Sequence, residues 1–327
     1  MEIEGNKAKL NQKQKKLEVS DVLREAVMIY FRNLNFIIFT FLTSLPLLFI
    51  MLYFEIHLQE ILLETSLILN QPHAHSLYHH GFNPDSIMRI FNMDYVLKLI
   101  HLGFIYMVPL HLFELGSAIF TIDLASKQQY SEEKKVTLNL KEIIFQKPLD
   151  LSNLRGTFVT SIYVLFLTTT HQLGLLWIVI NYHVFLKDLS CYMLFFVICS
   201  LVFAKVLRTC LEWSAMWNMS LVISVLERVY GVDALALSVY FSRGCHRRGL
   251  FLMLIFFSWG HLLRLSCHHL IGEQGTWSGF YIQVGLFCLV NPLKWVVFMI
   301  YFHDCKERSL EKKTDEELGK DVKVVSE

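Results

Sequence analysis

The sequence predicts an all-α polytopic membrane helix bundle of six transmembrane helices with short interfacial amphipathic helices, and three observations predict it. The 327-residue chain is 54% hydrophobic. Its charged share is 18%, against about 25% in ordinary soluble domains. Its apolar residues gather in runs long enough to cross about 30 Å of hydrocarbon, which takes around 20 helical residues. Its basic residues are sorted to one side of those runs, as the positive-inside rule requires. A soluble domain of this size has too little interior for so much apolar surface, and a disordered chain would not carry it.

The elements follow in chain order. Residues 1–33 form a hydrophilic N-terminal segment. Because Glu2, Glu4, Glu18 and Asp21 precede the first apolar run, a cleaved signal or transit peptide is not expected, and that run is read as an uncleaved signal anchor. Ser20 is positioned to cap a helix through Arg32 with Val22, Leu23, Ala26, Val27 and Tyr30 on one face. The spans are expected at roughly 34–54, 95–122, 157–182, 190–209, 249–271 and 277–302. Together, residues 34–302 make the membrane domain and 303–327 a charged, partly disordered cytosolic tail. The apolar pattern after residue 190 continues to Glu227, which predicts one long helix that leaves the membrane or bends in the interface. Gly231 is expected to end that helix, and Gly244 to end a short interfacial helix bearing Leu235, Val239 and Ser242 on one face. A third amphipathic stretch is expected within 138–155. Amphipathic helix plus two-span hairpin thus recurs three times, either as a repeat or as the common look of multi-pass proteins with basic loops.

With both termini in the cytosol, 23 basic residues fall in cytosolic segments and only Arg89 and Lys187 in outer loops. An odd number of spans would put a basic end on the wrong side. Net charge is +1, so no nucleic-acid partner is expected; the partners expected are membrane lipids or other membrane proteins. The membrane is read as endomembrane or plasma membrane. The seven cysteines are scattered without metal-like spacing, and only Cys191 and Cys267 are placed to meet in an oxidising compartment.

Ionisable residues inside spans are the strongest pointers to function. Lys205, Arg208 and Glu212 share a helical face, and Glu114 and Lys294 lie at similar depth. They read either as snorkelling, mutually paired charges or as a polar-solute or headgroup site. Arg243, Arg247 and Arg248 form a candidate basic interfacial patch for phosphate contacts. His171 is the ionisable residue nearest a midplane, expected to be neutral and bonded to a neighbouring helix. Pro46, Pro109 and Pro292 are expected to interrupt their spans, each freeing a carbonyl. The histidines of the first outer loop (His73, His75, His79, His80) lack cysteine or acidic co-ligands, so no metal and no cofactor is assigned. No nucleophile, base or metal set assembles at one depth, which argues against an enzyme.

The stretch Ser224 to Ser238, with Glu227, Gly231, Ala234 and Leu235, followed by Ser242-Arg243-Gly244 and Arg247-Arg248-Gly249, carries a resemblance. So do Leu23-Arg24-Glu25-Ala26 and Arg32-Asn33-Leu34-Asn35-Phe36. Together they resemble a plant family of uncharacterised six-span transmembrane proteins, over residues 17 to about 303. More distantly they resemble the membrane region associated with bacterial glycerophosphodiester phosphodiesterases. The resemblance implies the six-span fold and no activity, since no phosphodiesterase domain is present. The functional expectation is a non-enzymatic protein that organises lipid or partners. A small-solute or lipid carrier using the polar residues of spans two, four and six is the alternative.

Overall fold

The computed structural model describes residues 18–32, 34–69, 93–134, 151–188, 193–274 and 277–325. These are helical almost throughout: α1 Val19–Arg32, α2 Leu34–Leu69, α3 Met93–Ile105, α4 His111–Lys134, α5 Leu151–Asp188, α6 Met193–Leu226, α7 Gly231–Ser242, α8 His246–Gln274 and α9 Trp277–Val325. A single π-helical turn, Tyr106–Leu110, joins α3 to α4 around Pro109. Proline lacks the N–H that a regular turn needs, and the wider turn absorbs the freed carbonyl. Helices α2 and α9 instead run continuously through Pro46 and Pro292, so the expected interruption is confined to Pro109.

Four described stretches are long and apolar enough to cross a bilayer: Leu34–Thr65, Met93–Tyr130, Leu154–Leu175 and Val284–Thr314. The fold is therefore all-α and compatible with an integral membrane protein. Helices α6 and α8, which carry the fourth and fifth expected spans, are 34 and 29 residues long but lie outside that set of four. The helices also outrun the apolar runs. α9 continues to Val325, so the tail expected to be partly disordered is helical that far. Glu, Lys and Leu are strong helix formers, and Asp304 pairs with Arg308 one turn on. The 138–150 part of the amphipathic stretch expected within 138–155, the first-loop histidines and the Cys191–Cys267 pairing lie outside the described residues or side chains.

The chain divides into two compact units. The first comprises residues 1–37, 121–262 and 293–327. Its core contains Ile122, Met219, Val222, Ile223, Leu252 and the run Val296 to Phe302. α1 contributes Val22, Ala26, Ile29 and Tyr30, while Val27 faces outward. Its cap is Glu18, two residues earlier than the expected Ser20, and Asp21 Oδ2 accepts from the Glu18 N–H at 3.1 Å. Gln128 then ties the helix down by donating to the Ile29 carbonyl, 3.1 Å.

α7 packs on α5 and α6 through the small residues Ala234, Ser238 and Ser242; of the expected face, Ser242 is buried, Leu235 half-buried and Val239 exposed. Small side chains allow close helix approach, and the two serine hydroxyls are satisfied within their own helix by the Leu235 and Val239 carbonyls. The apolar Val232 and Val239 are left uncovered. α6 ends at Leu226, ahead of the expected Gly231; the left-handed residue nearest its end is Arg228 (φ 56°). Gly231 (φ 63°) opens α7 instead and donates its N–H to Thr160 Oγ1 at 2.7 Å. Gly244 (φ 86°) does follow α7, as expected of a C-terminal glycine.

The second unit comprises residues 38–120 and 263–292. Val284 and Cys288 pack against Leu48, Met51, Leu52 and Ile56. Polar bridges join α2 to α3 and α4: Ser44 to Ser117 (3.2 Å), Thr65 to Tyr95 (2.7 Å), Tyr53 to His101 (3.3 Å) and Lys98 to Glu64 (2.8 Å).

Candidate functional site

The α7–α8 connection is the centre of the candidate site. Ser242 passes its carbonyl to the Cys245 N–H at 2.8 Å, and Gly244 turns the chain with a positive φ that a side chain would strain. Cys245 then acts as the N-cap of α8, its carbonyl accepting from the Arg248 and Gly249 N–H groups and from the Tyr301 hydroxyl (3.2 Å). Gly249 is required by crowding: a Cβ there would lie 2.8 Å from Tyr301 Oη and 3.1 Å from the Ala215 Cβ. This contact brings α6, α8 and α9 together and fixes where Arg247 and Arg248 emerge.

Between these elements lies a cavity of about 650 Å³, lined by Arg208, Glu212, Trp213 and Met216 of α6, Val239 of α7, and Gly244 to Arg248. The lining combines apolar Trp213, Met216 and Val239 with three guanidinium groups and one carboxylate. Arg208 Nε donates to Glu212 Oε1 at 3.0 Å, with the arginine largely exposed. Arg247 has no side-chain partner among the described residues and is exposed. Arg248 is nearly buried and held on two sides, by Asp304 Oδ2 at 2.5 Å and Cys245 Sγ at 2.8 Å. The first N–H groups of α8 add partial positive charge at the same place.

Behind the cavity, Cys245, Asp304 and Cys305 have ligand atoms within 4.8 Å of one another. Arg308 donates to Asp304 Oδ1 at 3.0 and 3.1 Å. A hydrogen bond from the Cys305 thiol, with the charges of Arg248 and Arg308, outweighs burial and brings the Cys245 thiol down to about 6. In α1, burial and then the charges of Asp304 and Glu307 hold the Glu25 carboxyl above its ordinary range.

The structure therefore brings Arg208 and Glu212 together with Arg247 and Arg248 in one cavity. Arg243 stands beside it, 5.9 Å from the centre of the Tyr240 ring. Lys205 and Lys294 do not line it: Lys205 is exposed, and Lys294 sits over the Trp295 ring at 4.4 Å. Glu114 belongs to the second unit. His171 Nδ1 donates to its own helix's Leu167 carbonyl (3.3 Å) and its ring meets the Trp217 ring edge-on, in place of the expected hydrogen bond to a neighbouring helix. Sequence reading missed Cys245, Asp304 and Cys305, because 60 residues separate the two cysteines and no spacing rule links them.

The fold and the cavity define a class: an all-α protein with apolar helices of membrane-crossing length and a basic, half-apolar cavity at a helix N-terminus. The chain belongs to the family described as Domain of unknown function (DUF8558), whose model matches residues 9–309. No curated protein matches it, and no solved structure matches it.

Proposed function

We propose that this protein is a non-enzymatic, six-span membrane protein of the endomembrane system or plasma membrane that holds phosphate-bearing lipid headgroups in the Arg208–Arg247–Arg248 cavity. The observation that carries the reading is the cavity's mixed apolar and basic lining. Trp213, Met216 and Val239 offer apolar contact, while the arginines match phosphate oxygens in geometry and charge. The six-span count is supported by the lengths of α6 and α8 and by the excess of basic residues in the even-numbered connections and both ends. This arrangement puts both termini and the cavity at the cytosolic leaflet, where anionic lipids concentrate. It also agrees with the six-span plant family that the sequence resembles. The carrier alternative draws less support, because Lys205 and Lys294 stand outside the cavity.

The test is purification of the full chain in native-lipid particles, followed by mass spectrometry of everything retained. A phosphate-bearing lipid is expected to be enriched over bulk membrane in the wild type and lost from an Arg208→Ala/Arg247→Ala variant with unchanged helicity. Displacement by soluble glycerophosphate would indicate that the phosphate ester alone is recognised. Bulk lipid in both proteins, or protein partners with bulk lipid only, would overturn the headgroup reading.

A further inference from the structure

We propose that Cys245 and Cys305 form a redox-active dithiol, in which a hydroperoxide oxidises Cys245 and Cys305 then closes an intrachain disulfide between the α7–α8 turn and α9. The inference stands apart from the headgroup reading: it shares the cavity and Arg248 but needs no headgroup bound there.

Four features of the geometry point to it. The two sulfurs belong to a cluster whose ligand atoms all lie within 4.8 Å, and the Cys305 thiol is hydrogen-bonded to Cys245. Arg248 Nη2 donates to Cys245 Sγ at 2.8 Å, which stabilises a thiolate. Cys245 caps α8, so the helix N-terminus adds to the same effect. Both cysteines are buried, at 4% and 1% exposure, but Cys245 lines the 650 Å³ cavity, which supplies a route for a small oxidant, and Cys305 does not. A sulfur at a cavity wall beside a partner set deeper in the protein is the arrangement of a peroxide-reactive and a resolving cysteine. The depressed titration of Cys245 is consistent with these contacts.

A divalent cation is the competing occupant of Cys245, Asp304 and Cys305. The arginines argue against it. Arg248 bridges Asp304 Oδ2 and Cys245 Sγ, and Arg308 occupies Asp304 Oδ1, so a cation would have to displace or abut two fixed guanidinium groups.

The steps balance. The Cys245 thiolate attacks one peroxide oxygen, the O–O bond breaks, and the leaving alkoxide or hydroxide takes a proton; Cys245 becomes a sulfenic acid. Cys305 then attacks that sulfur, the S–O bond breaks, and water leaves with the Cys305 proton. Two thiols lose two electrons in total, and the hydroperoxide is reduced by two.

The experiment uses the full chain in lipid nanodiscs, reduced, chelator-treated and desalted, then exposed to hydrogen peroxide and mapped by peptide mass spectrometry. The expected product is a peptide pair linked Cys245–Cys305. Cys305→Ser and Cys305→Ala are each expected to accumulate a Cys245 sulfenic acid that dimedone traps, while Cys245→Ser leaves Cys305 reduced. Wild-type Cys245 should react at least about ten-fold faster than Cys199 or Cys210. Equal reactivity of Cys245 and those two cysteines, or failure of the linked pair to form, would overturn the proposal. So would stoichiometric zinc bound by the untreated wild type and lost from Cys245→Ser.

Discussion

Met93–Tyr130 and Val284–Thr314 have the same mean hydropathy, 1.7, yet 11% of the most apolar window is buried within the protein in the first and 61% in the second. The first leaves Leu97, Ile100 and Phe104 uncovered along its length. The second buries every residue from Trp295 to Phe302. Hydropathy measures the cost of leaving side chains in water and is indifferent to whether lipid or protein covers them. What separates the two is the neighbourhood. Around residues 295–302, Gly249 and Ala215 let helices approach closely, and the Tyr301 hydroxyl donates across the contact to the Cys245 carbonyl. The charges differ in the same way. Lys98 meets Glu60 and Glu64 with 44% of its side chain exposed, whereas Arg248 meets Asp304 at 16% and 9%. Exposed pairs contribute little, while breaking a nearly buried one leaves a stranded charge.

The largest effect that bears on this contrast is expected from truncating one aromatic residue in each helix. Phe298→Ala removes a fully buried ring and is expected to cost about 3–5 kcal/mol. Phe104→Ala, at a position 60% exposed, is expected to cost less than about 1 kcal/mol. Thermal unfolding of the two variants in one detergent measures both, and equal losses would erase the distinction.

Glycine substitutions sharpen it at lower cost. A Cβ at Gly103 meets nothing within 4 Å, whereas one at Gly249 meets Tyr301 and Ala215. Gly249→Ala should destabilise by about 1–3 kcal/mol through overpacking. Gly103→Ala should be neutral or stabilise by up to about 1 kcal/mol through helix propensity. The same melting curves decide it.

The smallest effect is a pH dependence at Glu25. Its folded-state titration is raised by burial and by Asp304 and Glu307, so the native state binds its proton more tightly than the unfolded chain does. The associated stability is fully present below the unfolded value of 4.5 and is lost as pH rises through the higher folded value. Glu25→Gln is therefore expected to raise Tm at about pH 8, with the difference shrinking towards about pH 4. A difference independent of pH would show that packing, not charge, is the cause.

The long helices were legible because apolar runs of about 20 residues have few other uses. Their full lengths were not, since helix α9 is continued past residue 302 by charged residues held by local pairing, Asp304 with Arg308, and by partners on other elements, Arg248 and Glu227. The face of α7 that other helices cover was not legible for a physical reason: Ala234, Ser238 and Ser242 pack inward because they are small, while the more apolar Val239 stays outside. In a membrane setting, polarity alone does not point inward. For the site, Arg247 and Arg248 stood out as a basic cluster at a helix start, and Arg208 with Glu212 as charges on an apolar helix. Their meeting in one cavity depends on the α6–α8 approach at Gly249, which sequence spacing does not encode.

The cavity is the centre of the account, and calorimetric titration of the purified protein with a short-chain phosphatidic acid tests it most directly. Saturable one-to-one binding is expected in the wild type, weakened about ten-fold or more by Arg247→Gln, as loss of a charge-assisted hydrogen bond requires. High salt should weaken it too. Binding that is unchanged by Arg247→Gln, or absent from the wild type, would contradict the assignment of the cavity to phosphate-bearing headgroups.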